Sequence, residues 1–129
     1  MMINISELMN DEACFKAVRD FRWSDGIVCC PHCGGKEVAK RGKDDTQVHR
    51  QRYYCKSCTK QFDDLTGSVF AGRHQPLKMW LLCLYFMSLN LSNKQISAEL
   101  GLNKDDVYNM TRALREEIAQ KKDLINLVR

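Results

Sequence analysis

Side chains recur at helical spacing near the start of the chain: Cys14, Phe15, Val18 and then Phe21 or Arg22 fall on one face. They predict a short helix over residues 10–23. Asn10 is placed to cap it, and Asp11 and Glu12 lie where the helix dipole favours negative charge. Ser24-Asp25-Gly26 reads as the turn that ends it. The helical period then stops. Residues 37–41 and 50–54 read as the strands of a hairpin, with residues 42–46, including Asp44 and Asp45, as the loop between them. Residues 63–75 are expected to form an extended linker. From 76 to 91 the chain is apolar on nearly every side, through Leu77, Met79, Trp80, Leu81, Leu82, Leu84 and Phe86. Pro76 suits the first position of a helix there. The span 77–91 holds 15 residues, among them Lys78, Ser88 and Asn90. Crossing a bilayer takes about 20 apolar residues, so the pattern predicts a buried central helix instead.

The pattern changes again at Ser92. Ser92 is placed to cap a short helix that turns Ile96 and Leu100 inward, with the small Ala98 suited to a helix crossing. Gly101 supplies the positive φ of a tight helix–helix turn. Leu102 plugs the corner and Asn103 caps a second helix, residues 104–121, with Val107, Met110, Leu114 and Ile118 on its inner face. A buried helix, a short helix, a glycine turn and a longer helix make a three-helix helix-turn-helix arrangement, a pattern that an ordinary αα-hairpin also satisfies. In the first case Lys104, Asp105, Tyr108, Asn109 and Arg112 face solvent where base edges are read. Asn109 suits adenine, and Arg112 suits guanine or phosphate. Asp105 and Asp106 favour the helix N-terminal dipole but repel phosphates, which points to modest affinity or to contacts with cytosine amino groups. The apolar tail, with Leu124, Ile125, Leu127 and Val128, is expected to pack back on the buried helix or to pair two chains.

Cysteine spacing changes the picture of the middle segment. Cys30-Pro31-His32-Cys33 and Cys55-Lys56-Ser57-Cys58 each place two residues between thiols, and 21 residues separate the pairs. Two such turns joined by a hairpin form a tetrahedral Cys₄ site for one structural zinc ion, covered on its apolar side by Tyr53, Tyr54 and Phe62. Four thiolates close the shell, which leaves His32, His49 and His74 outside it. Cys14, Cys29 and Cys83 read as reduced thiols, and Cys29 is spaced less well than Cys30 to pair with Cys33. Residues 1–12 show no basic-then-apolar leader, so a secreted disulfide scaffold is not expected.

The 129 residues suit one ordinary domain or two very small ones. The organisation expected is a small α+β fold: an N-terminal helical segment (1–26), a zinc ribbon of β-hairpins (27–64), a linker (65–75) and a helix-turn-helix domain (76–129). The net charge of +4 is modest, but it is uneven. Residues 1–26 carry 3 basic and 5 acidic side chains, and residues 27–64 carry 8 and 5. Residues 65–91 carry 2 basic and no acidic side chain. Lys40, Arg41, Lys43, Arg50 and Arg52 form a basic hairpin suited to phosphates, and Arg73, His74 and Lys78 are placed to lie along a DNA backbone or in a minor groove.

The motifs also fall in a familiar order. Phe21-Arg22-Trp23-Ser24-Asp25-Gly26, the two Cys pairs, Arg52-Tyr53-Tyr54, Lys60-Gln61-Phe62, Leu65-Thr66-Gly67-Ser68-Val69-Phe70 and Pro76-Leu77-Lys78-Met79-Trp80 follow one another. Over residues 6–120 this order resembles the N-terminal region of bacterial insertion-sequence transposases that open with a zinc ribbon and a helix-turn-helix. The resemblance implies binding to double-stranded DNA, at the terminal repeats of the element or a related operator. It also implies a cytoplasmic, nucleoid-associated protein, with a homodimer as one possibility and no membrane or small-molecule partner. In that family a downstream DDE domain of ribonuclease-H-like fold cuts and joins strands with divalent metal. Here 7 residues follow Lys122, where such a domain needs about 100 or more. The expectation is therefore recognition without catalysis, by a truncated transposase or a stand-alone protein of transposon origin. The alternative is a protein–protein or dimerisation module acting with a full-length transposase or the transcription machinery.

Overall fold

The computed structural model describes residues 5–128. After a 3-10 turn at Glu7–Met9 come helix α1 (Asp11–Arg22), strands β1 (Val38–Lys43), β2 (Gln51–Cys55) and β3 (Gln61–Asp63), and helices α2 (Leu77–Ser88), α3 (Asn93–Leu100) and α4 (Lys104–Gln120). A second 3-10 turn, Lys122–Leu127, follows. The strands form one antiparallel sheet in the order β1-β2-β3. This is the small α+β fold expected, with the cysteine pairs at the ends of the hairpin.

Helix ends follow the local chemistry of the sequence. The Asn10 side chain accepts from the Ala13 N–H, and Asn103 does the same for Asp106. Ser92 and Gln95 form a reciprocal capping box at α3. Gly101 ends α3 at φ 68°, and its N–H donates to the Ser97 carbonyl. Pro76 is the residue before α2 rather than its first member. The helix stops at Ser88, three residues short of the apolar run, because Asn90 takes φ 62° and turns the chain.

The apolar side chains gather in two clusters. The larger holds Leu8, Cys14, Phe15 and Val18 of the N-terminal part, Trp80, Leu81 and Leu84 of α2, and Ile96, Val107 and Leu114 of α3 and α4. Full burial of each large aliphatic side chain contributes about 1.5–3 kcal/mol. Leu124, Leu127 and Val128 join this cluster at 1–3% exposure, so the apolar tail packs back on its own chain. No helix among the described residues is long and apolar enough to cross a membrane.

The smaller cluster is the ribbon core: Trp23, Cys30, Tyr53, Cys55 and Phe62. Tyr53 and Phe62 stack with centroids 5.1 Å apart, and Trp23 meets both edge-on. The residue that follows α1 is thus part of the ribbon. Strand β2 alternates, with Gln51, Tyr53 and Cys55 buried and Arg52 and Tyr54 half-exposed between them. The β1–β2 register slips between Lys40 and Lys43, where Gly42 holds φ 78°. This carries β1 past the expected residue 41 and leaves residues 44–50 as the loop.

Residues 63–75 differ from the extended linker expected of them. After β3 they fold as successive turns. Asp63 Oδ1 accepts from the Leu65 and Thr66 N–H groups, which bends the chain at once. Leu65 and Phe70 are then buried in the larger core, Phe70 edge-on to Trp80. A segment with two large apolar anchors gains more by folding onto that core than by staying extended.

Candidate metal centre and nucleic-acid interface

The two cysteine turns are built alike. The Cys30 N–H donates to the Gly35 carbonyl and the Gly34 N–H to the Cys30 carbonyl, both at 2.8 Å. The same bonds recur from Cys55 to Lys60 (3.0 Å) and from Thr59 to Cys55 (2.9 Å). Gly34 and Thr59, each four residues after the first cysteine of its pair, both adopt positive φ, at 76° and 64°. Each turn aims its thiols at the other. Cys30 Sγ lies 3.7 Å from Cys58 Sγ, and Cys33 Sγ lies 3.6 Å from Cys55 Sγ. All four sulfurs fall within 4.8 Å of one another. A zinc ion with four thiolates at about 2.3 Å in a tetrahedron needs sulfurs roughly 3.8 Å apart. The residues therefore fit one structural zinc ion, held by Cys30, Cys33, Cys55 and Cys58.

The surroundings act unevenly on the thiols: against the pull of the Gly35 N–H, Cys33 is pushed up by its bonds to the neighbouring thiols and by burial, whereas Cys55 is drawn down. The His32 and Gly35 N–H groups each point at a sulfur, at 3.3 Å. The Cys55 thiol is pulled down to about 6, first by the Cys58 N–H and then with help from Cys33 and the Ser57 N–H against the effect of burial. A side chain at Gly35 would place its Cβ 3.0 Å from Ser57 Oγ and 3.2 Å from Cys33 Sγ, so it would have to displace both side chains. His32 Nε2 lies 3.3 Å from the Gln61 carbonyl, and Cys29 Sγ donates toward the Ile27 carbonyl. Neither belongs to the thiol group.

The basic side chains divide into two sets. Lys40, Arg41 and Lys43 are exposed on β1, with Arg41 stacked over Tyr54 at 4.6 Å. Arg50 is held inside the ribbon, bonded to Asp63 at 2.9 Å and to Gln47 at 2.9 Å. Arg52 faces Asp45 at 4.0 Å. Lys78 is half-buried on α2, where its charge acts on Cys14 of α1. Arg73 donates from Nε to the Val69 carbonyl and lies over Trp80, 5.0 Å from the ring centroid.

Helix α4 presents a clean division of faces. Val107, Met110, Thr111 and Leu114 are buried, while Lys104, Asp105, Tyr108, Asn109 and Arg112 are exposed. Tyr108 is 55% exposed, which is high for an aromatic side chain. Arg112 Nε meets Glu116 at 3.3 Å one turn on. A cleft of about 490 Å³ runs between α4 and residues 72–75, and it brings together Arg73, His74, Asn109 and Arg112.

A buried polar junction was not read from the sequence. Asp64 has no exposed surface. Its carboxylate accepts from Arg19 Nε (3.0 Å) and a terminal Arg19 nitrogen (2.8 Å), from the Gln51 N–H (2.8 Å) and from the Tyr53 hydroxyl (2.9 Å). Arg22 donates to the carbonyls of Asp64 and Thr66 at 2.7 and 2.6 Å. Helix α1, strand β2 and the turn after β3 are therefore tied at one point, which joins the two cores. Tyr53 at an inward strand position carried a signal, since a buried hydroxyl requires a partner.

Comparison with known proteins agrees with this architecture. Residues 9–61 match the family described as the transposase zinc-ribbon domain, of the IS1595 type. Over 108 residues the chain is 32% identical to an uncharacterized protein in transposable element ISH50 of Halobacterium salinarum, covering 83% of this chain and 35% of that protein. The chain thus spans about a third of the length of this relative. No solved structure matches it.

Proposed function

We propose that this chain, whose residues 9–61 belong to the transposase zinc-ribbon family of insertion sequences, recognises double-stranded DNA at the ends of a mobile element. The observation that carries the reading is the uncovered face of α4. A helix anchored by Val107, Met110 and Leu114 holds Lys104, Tyr108, Asn109 and Arg112 outward, behind a capped glycine turn. That is the placement a recognition helix requires for the major groove. Lys40, Arg41 and Lys43 add exposed positive charge on the ribbon, which the zinc ion stiffens. The Asp64 junction fixes ribbon and helices to one another, so both engage one duplex in a set register.

The role assigned is recognition, with the protein working beside genomic DNA in the cytoplasm. The only group of side chains among the described residues gathered to hold a metal ion is the four thiols, whose closed shell leaves no position for a substrate. The rival reading, a dimerisation module, draws support from Asp105 and Asp106 at the exposed start of α4. The apolar tail it would employ is buried within the chain. Selection of duplexes from a random pool by the zinc-loaded protein, followed by comparison with Arg112→Ala, separates the two. The DNA reading predicts an enriched sequence and a loss on that sequence of about tenfold or more, with little loss on random duplex. No enrichment, together with a dimer in solution, overturns it.

A further inference from the structure

The cleft beside α4 contains a donor that the fold leaves unsatisfied. Trp80 lines the cleft and is 4% exposed, yet its Nε1–H has no hydrogen-bond acceptor among the described residues. A buried indole N–H ordinarily finds one. Arg73 lies across the same ring, fixed at Nε by the Val69 carbonyl, with its two terminal nitrogens making no further hydrogen bond among the described residues. Both groups only donate: indole and guanidinium have no acceptor. The missing partner is therefore an acceptor, and beside a guanidinium fork it is best an oxyanion.

We propose that this cleft seats one phosphate of the DNA backbone, with Trp80 Nε1–H and the Arg73 fork donating to its oxygens while Arg112 and Asn109 face the adjoining groove. The proposal rests on the DNA reading above and adds a contact that reading does not contain. A helix lying in the major groove has sugar–phosphate backbone along its flanks, and such phosphate contacts set its register. The Arg73 side chain is exposed and held at a single nitrogen, so it can rotate off the ring to admit an oxygen. Two carboxylates also line the cleft. Glu116 is engaged by Arg112, and Asp106 stands as the opposing charge.

The test uses the full zinc-loaded chain labelled with ¹⁵N. The indole resonance of Trp80, identified by its loss in Trp80→Phe, is followed during titration with inorganic phosphate and, separately, with the selected duplex. It is expected to shift with both, while the Trp23 indole stays in place as the control. Trp80→Phe, which keeps an aromatic ring against Phe70, is expected to bind about tenfold more weakly to selected and random duplex alike, with an unchanged salt slope. Arg73→Gln, an exposed substitution, is expected to reduce that slope by about 0.9. A folded Trp80→Phe protein with full affinity, and a Trp80 resonance unmoved by phosphate or duplex, overturns the seat and leaves recognition by α4 standing. A shift with inorganic phosphate in a protein that binds no duplex does the reverse: the seat stands, its DNA source is refuted, and the DNA reading falls with it.

Discussion

Replacing Asp64 by alanine is predicted to bring the protein close to unfolding. The side chain is fully buried and accepts four hydrogen bonds, two of them from Arg19. Removing it strips a half-buried guanidinium of its counter-charge and leaves the Tyr53 hydroxyl and the Gln51 N–H without an acceptor. Breaking a buried ion pair on one side costs about 3–5 kcal/mol, and each abandoned buried donor about 1–3 kcal/mol. These terms overlap, because Arg19 keeps a bond to the His49 carbonyl at 3.0 Å and retains some solvent contact. A net loss of about 4 kcal/mol follows, against a typical total stability of about 5–15 kcal/mol. Asp64→Asn keeps two acceptor lone pairs and the shape but not the charge, so about half that loss is expected. Urea unfolding of the zinc-loaded protein, followed by tryptophan fluorescence, measures both. Tyr53→Phe in each background isolates the hydroxyl bond, and its effect should shrink once Asp64 is gone. If Asp64→Ala stays within 1 kcal/mol of the parent, the junction does not couple the two cores as described.

Other predictions follow from the same geometry. Cys55→Ser, or chelation of the metal, should unfold the ribbon core and, through loss of Tyr53 and Gln51 from the Asp64 junction, weaken the helical core as well, since structural zinc supplies roughly 10–16 kcal/mol of apparent binding energy in small peptides. Near-ultraviolet dichroism of Trp23 beside far-ultraviolet dichroism reads this, and a zinc-free protein with an intact ribbon would refute the site. Alkaline pH should destabilise the fold. The buried thiols of Cys14 and Cys83 are raised from 9.0 to about 11, chiefly by burial, so the stability they confer is whole below pH 9 and is lost as pH rises through 11. Two pH units correspond to roughly 2.7 kcal/mol per thiol at most. Denaturation midpoints at pH 8 and 11 should fall accordingly, and should fall less in Cys83→Ala; equal midpoints would contradict the reading. Asp106→Asn removes the unopposed carboxylate of the cleft and should tighten DNA binding a few-fold in low salt, measured by anisotropy; weaker binding would mean that the carboxylate contacts a base.

Much of this molecule could be read from local chemistry. Asn10, Ser92 with Gln95, Gly101 and Asn103 mark helix ends because capping is a contact over three or four residues. The cysteine turns are legible for the same reason, as bonds within six residues repeat twice. What escaped depends on partners far away in the chain. Asp64 and Arg19 are 45 residues apart, and nothing local distinguishes a buried carboxylate from a solvated one. Arg50 looked like one more surface charge until β3, only three residues long, brought Asp63 beside it. Residues 63–75 have a linker's composition, and only the helical core gives Leu65 and Phe70 a reason to fold inward. Arg73 was visible as a cation, but its stacking on Trp80 depends on the turns that return the chain to α2.

Recognition of DNA by a zinc-braced helix-turn-helix is tested most directly by the affinity of the zinc-loaded chain for its selected duplex and for a scrambled one, measured across a salt series. With about five phosphates neutralised, log K is predicted to fall against log salt with a slope of roughly −4 to −5 on both duplexes. The selected duplex should hold an advantage of about a thousandfold or more at physiological salt. Equal affinity for the two sequences, or a slope near zero, would contradict the account.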